Sequence, residues 1–338
     1  MAAVDKIKVL PAMVPAATSA GVRATTTGDN NKRTERYQMR VTASVAQAAV
    51  VGTVLRNKGS VLALLTEIGF NDGGTDKIVL DPRLARFIGE TLAPSALPAT
   101  RLTAPAAGVA QLLEETVPLW MSAVGTANPN ETKYVEVNKQ LQQQVFATPN
   151  FNGSNLVDGA GVFTITGLTV NVEQVYDDLV GTPPWLSPYT RQIVQDVNGA
   201  STALKVDLRG SRYVRGIALQ QDTATVGEVD DIVNALVMRG DRDTYIGQQA
   251  IPLRDLILGN AVEQGGAIFA APAGYLWIDF ARYGRLSTMW NPYQDTNLRF
   301  ELDVQPSVTV GATASKVRVA MVEYERTAAT VATLPITI

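Results

Sequence analysis

Residues 251–260 read IPLRDLILGN, and residues 81–90 read DPRLARFIGE. In the first stretch Leu253, Leu256 and Ile257 stand at i, i+3 and i+4, one face of a helix. In the second, Leu84, Phe87 and Ile88 do the same, each 169 positions before its counterpart. Pro252 and Pro82 sit near the helix start, where a missing N–H costs little. Gly259 and Gly89 follow the last apolar residue, where a left-handed residue can end a helix. Asp81 is a good N-cap and Ile251 a poor one, so the copies differ there. Each helix follows a polar, glycine-rich turn, NDGGTD (71–76) or RGDRDT (239–244). Each turn in its own right follows an apolar run, VLALLTEIGF (61–70) or IVNALVM (232–238). A half-length spacing in a chain of 338 residues points to two copies of one fold. Chance recurrence of a common Pro–apolar–Gly helix is the alternative.

Around these helices the chain alternates with the period of β-structure. Tyr37, Met39 and Val41 are separated by Gln38 and Arg40, which predicts a half-buried strand. Leu168, Val170 and Val172 form a second set, Leu204, Val206 and Leu208 a third, and Leu276, Ile278 and Phe280 a fourth. Leu298, Phe300, Leu302 and Val304 alternate most cleanly, against Arg299, Glu301 and Asp303. KVRVAMVEYE (316–325) closes the series with a change of phase near Met321, which predicts a bulge there. KYVEVNKQLQQQVFA (133–147) reads as extended. Many short strands between Gly, Pro and Asn turns imply a sandwich, barrel or jelly roll. Residues 1–35 hold no periodicity and read as an arm, either a frayed terminus or a segment that orders on a neighbouring subunit or an anionic surface. The turn-rich ATPNFNGSNLVDGAG (147–161) marks a boundary, giving domains at 36–150 and 151–338.

The chain has neither cysteine nor histidine. That excludes disulfides, thiolate nucleophiles, zinc–sulfur sites, Ser-His-Asp triads and imidazole ligands. Net charge is −3, without the basic surplus usual in nucleic-acid binders. No stretch reaches the ~18 apolar residues a membrane span needs, and no signal peptide is visible. These features lead us to expect a soluble protein, in the cytoplasm or in an assembly built there, stabilised by packing and association.

The candidate sites each have a plainer reading. Asp241 and Asp243, with Glu228, Asp230 and Asp231, could bind calcium, but the EF-hand pattern is absent and a solvated turn explains them. Glu301 and Asp303 fall on outward strand positions, which is ordinary solvation rather than a glycosidase carboxylate pair. Trp120, Trp185, Trp277, Trp290, Tyr275, Tyr283 and Tyr293 could line a carbohydrate platform or pack in cores and interfaces. Arg282 and Arg285 with Tyr283 are too few for a single-strand groove. No phosphate-binding loop occurs, and the N-x-[ST] triplets at Asn130 and Asn152 read as chance. The reading is therefore no catalytic, cofactor-binding or metal residue, and no cofactor.

Five segments of the second half carry a resemblance: GSRYVRGIALQQ (210–221), VMRGDRDTYIGQQAIPLRDLILGNAV (237–262), GYLWIDF (274–280), NLRFELDV (297–304) and VRVAMVEYE (317–325). Their identity and order resemble the major capsid proteins of tailless icosahedral viruses with internal membranes, the double jelly-roll lineage, with the corticovirus-like branch nearest. The resemblance covers about Val162 to Arg326 and reaches the first half only through the duplication. It implies an all-β chain of two tandem jelly rolls, with short helices in connecting loops. It also implies a non-enzymatic subunit of trimeric, pseudo-hexameric capsomers in a virion shell assembled in a host cytoplasm. The implied partners are other copies of the chain, other capsid proteins such as pentons or spikes, and an internal viral membrane through the arm, with no specific nucleic acid. A long loop such as FIGETLAPSALPATRLTAPAAGV (87–109) would serve contacts or a tower. Tyr37 to Ala147 leaves little room for a first roll of eight strands, so the arm would supply a strand or the roll would be reduced. A glycan-binding adhesin is the alternative function, and a β-sandwich hydrolase a third.

Overall fold

The computed structural model describes residues 6–16, 20–29, 32–47, 54–93, 97–103, 108–121, 142–157, 163–177, 186–197, 199–208, 212–223, 227–228, 232–241, 244–252, 272–280, 289–290, 297–304 and 315–326. The chain divides into two compact units, Met1–Thr190 with Arg326–Ile338, and Arg191–Glu325. The division falls inside one strand, Leu186–Val197, and not in the turn-rich stretch at 147–161. Composition suggested a boundary at 150, but the strand after that turn, Phe163–Asp177, lies wholly in the first unit.

The first unit holds β1 (Lys6–Val9), β2 (Ala24–Thr27), β3 (Arg33–Gln47), β4 (Leu65–Asp72), β5 (Thr75–Leu80), α1 (Pro82–Leu92), β6 (Ala99–Thr100), β7 (Ala110–Trp120), β8 (Gln143–Pro149) and β9 (Phe163–Asp177). One sheet runs β1-β9-β3-β7-β6, and in the other β2, β8, β4 and β5 lie side by side. Tyr37, Met39, Val41, Ala43 and Val45 of β3 point into the core, as their alternation predicts. The Tyr37 and Phe70 rings stack across the two sheets at 5.6 Å. β4 and β5 form a hairpin whose turn needs two positive φ angles, supplied by Gly73 at 59° and Gly74 at 87°.

The second unit holds the later part of β10 (Leu186–Val197), then β11 (Ser201–Asp207), β12 (Tyr213–Thr223), β13 (Gly227–Glu228), β14 (Val233–Arg239), β15 (Thr244–Pro252), β16 (Tyr275–Asp279), β17 (Arg299–Val304) and β18 (Ser315–Arg326). β12 lies between β18 on one side and β16 and β13 on the other, while β11, β17, β14 and β15 form the facing sheet. Leu298, just before β17, and Phe300, Leu302 and Val304 within it join Val317, Val319 and Met321 of β18 in one apolar core.

Set side by side, the two strand orders are the same. β1-β9-β3-β7 corresponds to β10-β18-β12-β16, and β2-β8-β4-β5 to β11-β17-β14-β15. The eight members of each set also occur in the same order along the chain. β5 begins at Thr75 and β15 at Thr244, the 169-residue offset of the sequence repeat. Two eight-stranded sandwiches of identical topology make the chain a double jelly roll.

One of the stated alternatives is met and two expectations change. Residues of the arm supply β1 and β2, which pair with β9 and β8, so the first roll has room for its eight strands. Of the two helices, α1 forms, but Ile251 and Pro252 end strand β15, and residues 253–260 lie outside the described residues. The bulge is real but sits on β12: Val214 pairs with Glu323 and Gly216 with Val322, leaving Arg215 as the extra residue. β18 changes phase in sequence because both of its faces are buried near Met321.

Candidate functional site

Among the described residues a dense buried polar cluster is built around α1. Asp81 caps the helix, its carboxylate accepting from the backbone N–H of Arg83 (2.9 Å) and of Leu84 (3.4 Å). Leu84, Ala85, Phe87, Ile88 and Leu92 give the helix its apolar face. Gly89 does not stop the helix, which runs on to Leu92. It instead lets the helix approach β7, since a Cβ there would lie 2.5 Å from Pro118 Cγ.

Two arginines on this helix are buried. Arg83 donates to both Asp81 oxygens (3.2 and 3.0 Å) and to Asn57 Oδ1. Arg86 donates to Glu90 (2.9 Å), Glu115 (3.1 Å) and the Leu97 carbonyl (3.3 Å). Glu115 is 0% exposed, on β7, in phase with the core residues Leu113, Val117 and Leu119. Its Oε1 also accepts from Arg101 (2.8 Å), and its Oε2 from the Ser60 hydroxyl. Left-handed Asn57 and Lys58 (φ 50° and 52°) shape the turn before Ser60. The cluster therefore ties together α1, β7, the 56–64 turns and the 97–103 segment. Both oxygens of Glu115 are occupied by donors, so the carboxylate is arranged to hold elements together and not to move a proton. Sequence inspection missed it, although one signal was present: a Glu at a position whose i±2 neighbours are all core leucine or valine.

The 87–109 stretch accordingly does not run free throughout. Residues 87–92 are helical, Leu102 is buried with its N–H on the Gly59 carbonyl (3.0 Å), and Thr103 bonds Gln111.

In the second unit the bulge places Arg215 in a buried position, 3.7 Å from Asp279. Gly216 beside it has the Trp277 ring across it; a Cβ would come within 2.3 Å of that ring. Tyr275 donates its hydroxyl to Glu228 (2.7 Å) and accepts from Gln220 (2.9 Å). Burial raises the Glu323 carboxyl above its ordinary value, against the opposing pull of Arg191 and Arg212. In the first unit burial likewise pushes the Tyr37 hydroxyl well above its ordinary range.

The residues singled out in the sequence do not converge. Glu228 is held by Tyr275, and Asp241 accepts from Asn297 (2.6 Å), while Asp230, Asp231 and Asp243 lie outside the described residues. Among the described residues no three acidic, Cys or His groups come together to hold a metal ion. Glu301 pairs with Arg239 and Arg299 on the face of β17 away from the core. Of the aromatic set, Tyr275 and Trp277 are buried, Trp290 packs near Phe280 at 6.2 Å, and Trp120 lies under Arg36 at 5.0 Å. Trp185, Arg282, Tyr283, Arg285 and Tyr293 lie outside the described residues, as does Asn130. Asn152 caps a one-turn helix, accepting from the Ser154 N–H and hydroxyl. Among the described residues no helix is long and apolar enough to cross a membrane.

No protein-family model matches the chain, and no curated protein matches it significantly. Solved structures do. A chain in the atomic structure of Sulfolobus Turreted Icosahedral Virus aligns with TM-score 0.70 at 12% identity, over 98% of this chain and 94% of that one. A chain of the PBCV-1 virus capsid aligns with TM-score 0.60 at 12% identity, over 95% and 93%. The major capsid protein P2 of bacteriophage PM2 aligns with TM-score 0.52 at 11% identity, over 96% and 99%. The likeness is one of fold, the double jelly roll, and it extends over nearly the whole length of the chain and of these neighbours.

Proposed function

We propose that the chain is the major capsid protein of an icosahedral virus, assembling as a trimer whose six jelly rolls give a pseudo-hexagonal capsomer. The observation that carries this reading is the repetition of all eight strands, in the same order and pairing, in a fold that aligns over nearly the whole length of viral capsid proteins. A sandwich of this kind pairs most of its strands internally, leaving its loops and a few edges for lattice contacts. Association also supplies stability that disulfides cannot give a cysteine-free chain. The role is architectural and asks no catalysis of the protein. Its partners are then copies of itself, other shell proteins at vertices, and an internal viral membrane facing the N-terminal segment, in a virion assembled in the host cytoplasm. Light scattering on the purified protein tests this: a stable species of three chain masses, three-lobed or hexagonal in negative stain, is expected. A monomer that binds glycans would favour the adhesin reading instead.

A further inference from the structure

We propose that β1 of one copy pairs in parallel with β15 of a second copy, extending the sheet across the subunit boundary. The inference rests on the capsomer reading and names the contact that would build it.

The argument comes from the internal repeat. β1 and β10 are equivalent strands, and so are β5 and β15. β10 has neighbours on both sides. Before the unit boundary, Thr190 pairs in parallel with Ile78 of β5, and the Lys77 ammonium lies 4.6 Å from the centre of the Tyr189 ring. On its other edge β10 runs beside β18. Among the described residues β1 has the equivalent neighbour on one side, β9, and is the terminal strand of its sheet. Among the described residues β15 is likewise the terminal strand of its own sheet, beyond β14. The edge that β5 presents to β10 is thus presented again by β15, and β1 presents the edge that could receive it.

β1 is built as an edge that expects cover. Ile7 is 62% exposed and Val9 71%, on one face of the strand. The Leu10 N–H donates to the Val172 carbonyl (2.9 Å), so by alternation the N–H and C=O groups of Ile7 and Val9 point away from β9. A bare apolar edge of this kind is an aggregation hazard unless a defined strand occupies it. Because the contact joins different surfaces of two copies, it is heterologous, and it propagates until the ring closes.

The absence of cysteine makes the pairing directly testable, because any disulfide reports only on introduced residues. Ile7→Cys is combined in turn with Ile246→Cys, Gln248→Cys and Ala250→Cys, covering the registers within reach on β15. One pair is expected to give, on mild oxidation, covalent species of up to three chains on a denaturing gel, with no such species from the single variants. Val9→Pro, which removes an outward N–H, is expected to raise the concentration at which the trimer dissociates at least tenfold. A trimer that yields no cross-link in any register, or an unweakened Val9→Pro trimer, overturns the pairing while leaving the capsomer reading intact. A protein that stays at one chain mass overturns both. Should Val9→Pro fail to fold, the cross-links decide alone.

Discussion

β3 and β12 hold the same place in the two rolls, each flanked by equivalent strands, yet their surroundings differ. Along β3 the buried Tyr37, Met39, Val41 and Ala43 alternate with the accessible Arg36, Gln38, Arg40 and Thr42. On its open face Arg40 pairs with Glu114 at 2.7 Å. Along β12 nearly every residue is buried, and so are Tyr275 and Trp277 on neighbouring β16 and Ala320 and Val322 on β18. The second face of that sheet includes the small residues Gly216, Ala218 and Ala320, with the Trp277 ring lying across Gly216. One topology thus serves two burial regimes. The second faces differ in exposure: Arg36, Gln38, Arg40 and Thr42 are accessible on β3, whereas Gly216, Ala218 and Gln220 are buried on β12.

This contrast can be broken at four points. The largest effect belongs to the first roll, where Glu115→Leu leaves Arg86 buried beside a lost partner. A destabilisation of about 3–5 kcal/mol is expected in chemical denaturation, carried by the first unit's transition. Next, Gly216→Ala drives a methyl into the Trp277 ring and costs about 1–3 kcal/mol, whereas Ser44→Ala on the accessible face of β3 stays within about 0.5 kcal/mol. Asp81→Ala removes the cap of α1, for about 1 kcal/mol, and also the carboxylate that pairs with buried Arg83, which adds to the loss. The smallest effect is a slope. Burial raises the Glu323 pKa above the ordinary 4.5, so the folded form binds that proton more tightly than the unfolded chain. The resulting stabilisation is complete below pH 4.5 and fades as pH rises through the folded value. Glu323→Gln should flatten the pH dependence of second-unit stability over that window, read from unfolding curves at a series of pH values. An unchanged slope would assign it to other groups.

Legibility in the sequence follows the same contrast. Strands with one wet face, such as β3, β9 and β17, announced themselves through alternation, and the duplicated helix pointed to two rolls. β12 was located through the resemblance, since a strand buried on both faces has no period to read, whereas β16 also showed in the alternation of Leu276, Ile278 and Phe280. β1 and β2 escaped notice because KIKV is fully exposed and ATTT largely so, and their pairing with β9 and β8 depends on residues more than a hundred positions away. Gly89 looked like a stop because local rules cannot see Pro118 approaching from another element. The Glu115 cluster stayed hidden for a related reason: Glu114 and Glu115 are adjacent and chemically alike, and only strand phase sends one to Arg40 and the other to Arg86.

The pairing of Lys6 with Tyr176 has a consequence for the making of the protein. The first sandwich cannot close until the ribosome has released β9, and at 5–20 residues per second that is roughly 10–30 s after β1 emerges. Through that interval the fifteen-residue β3 waits without its most extensively paired neighbour, with an apolar face toward other nascent chains. High-level synthesis should therefore be limited by crowding on polysomes, and less frequent initiation or a chaperone that shields extended chains should raise the yield of soluble subunit.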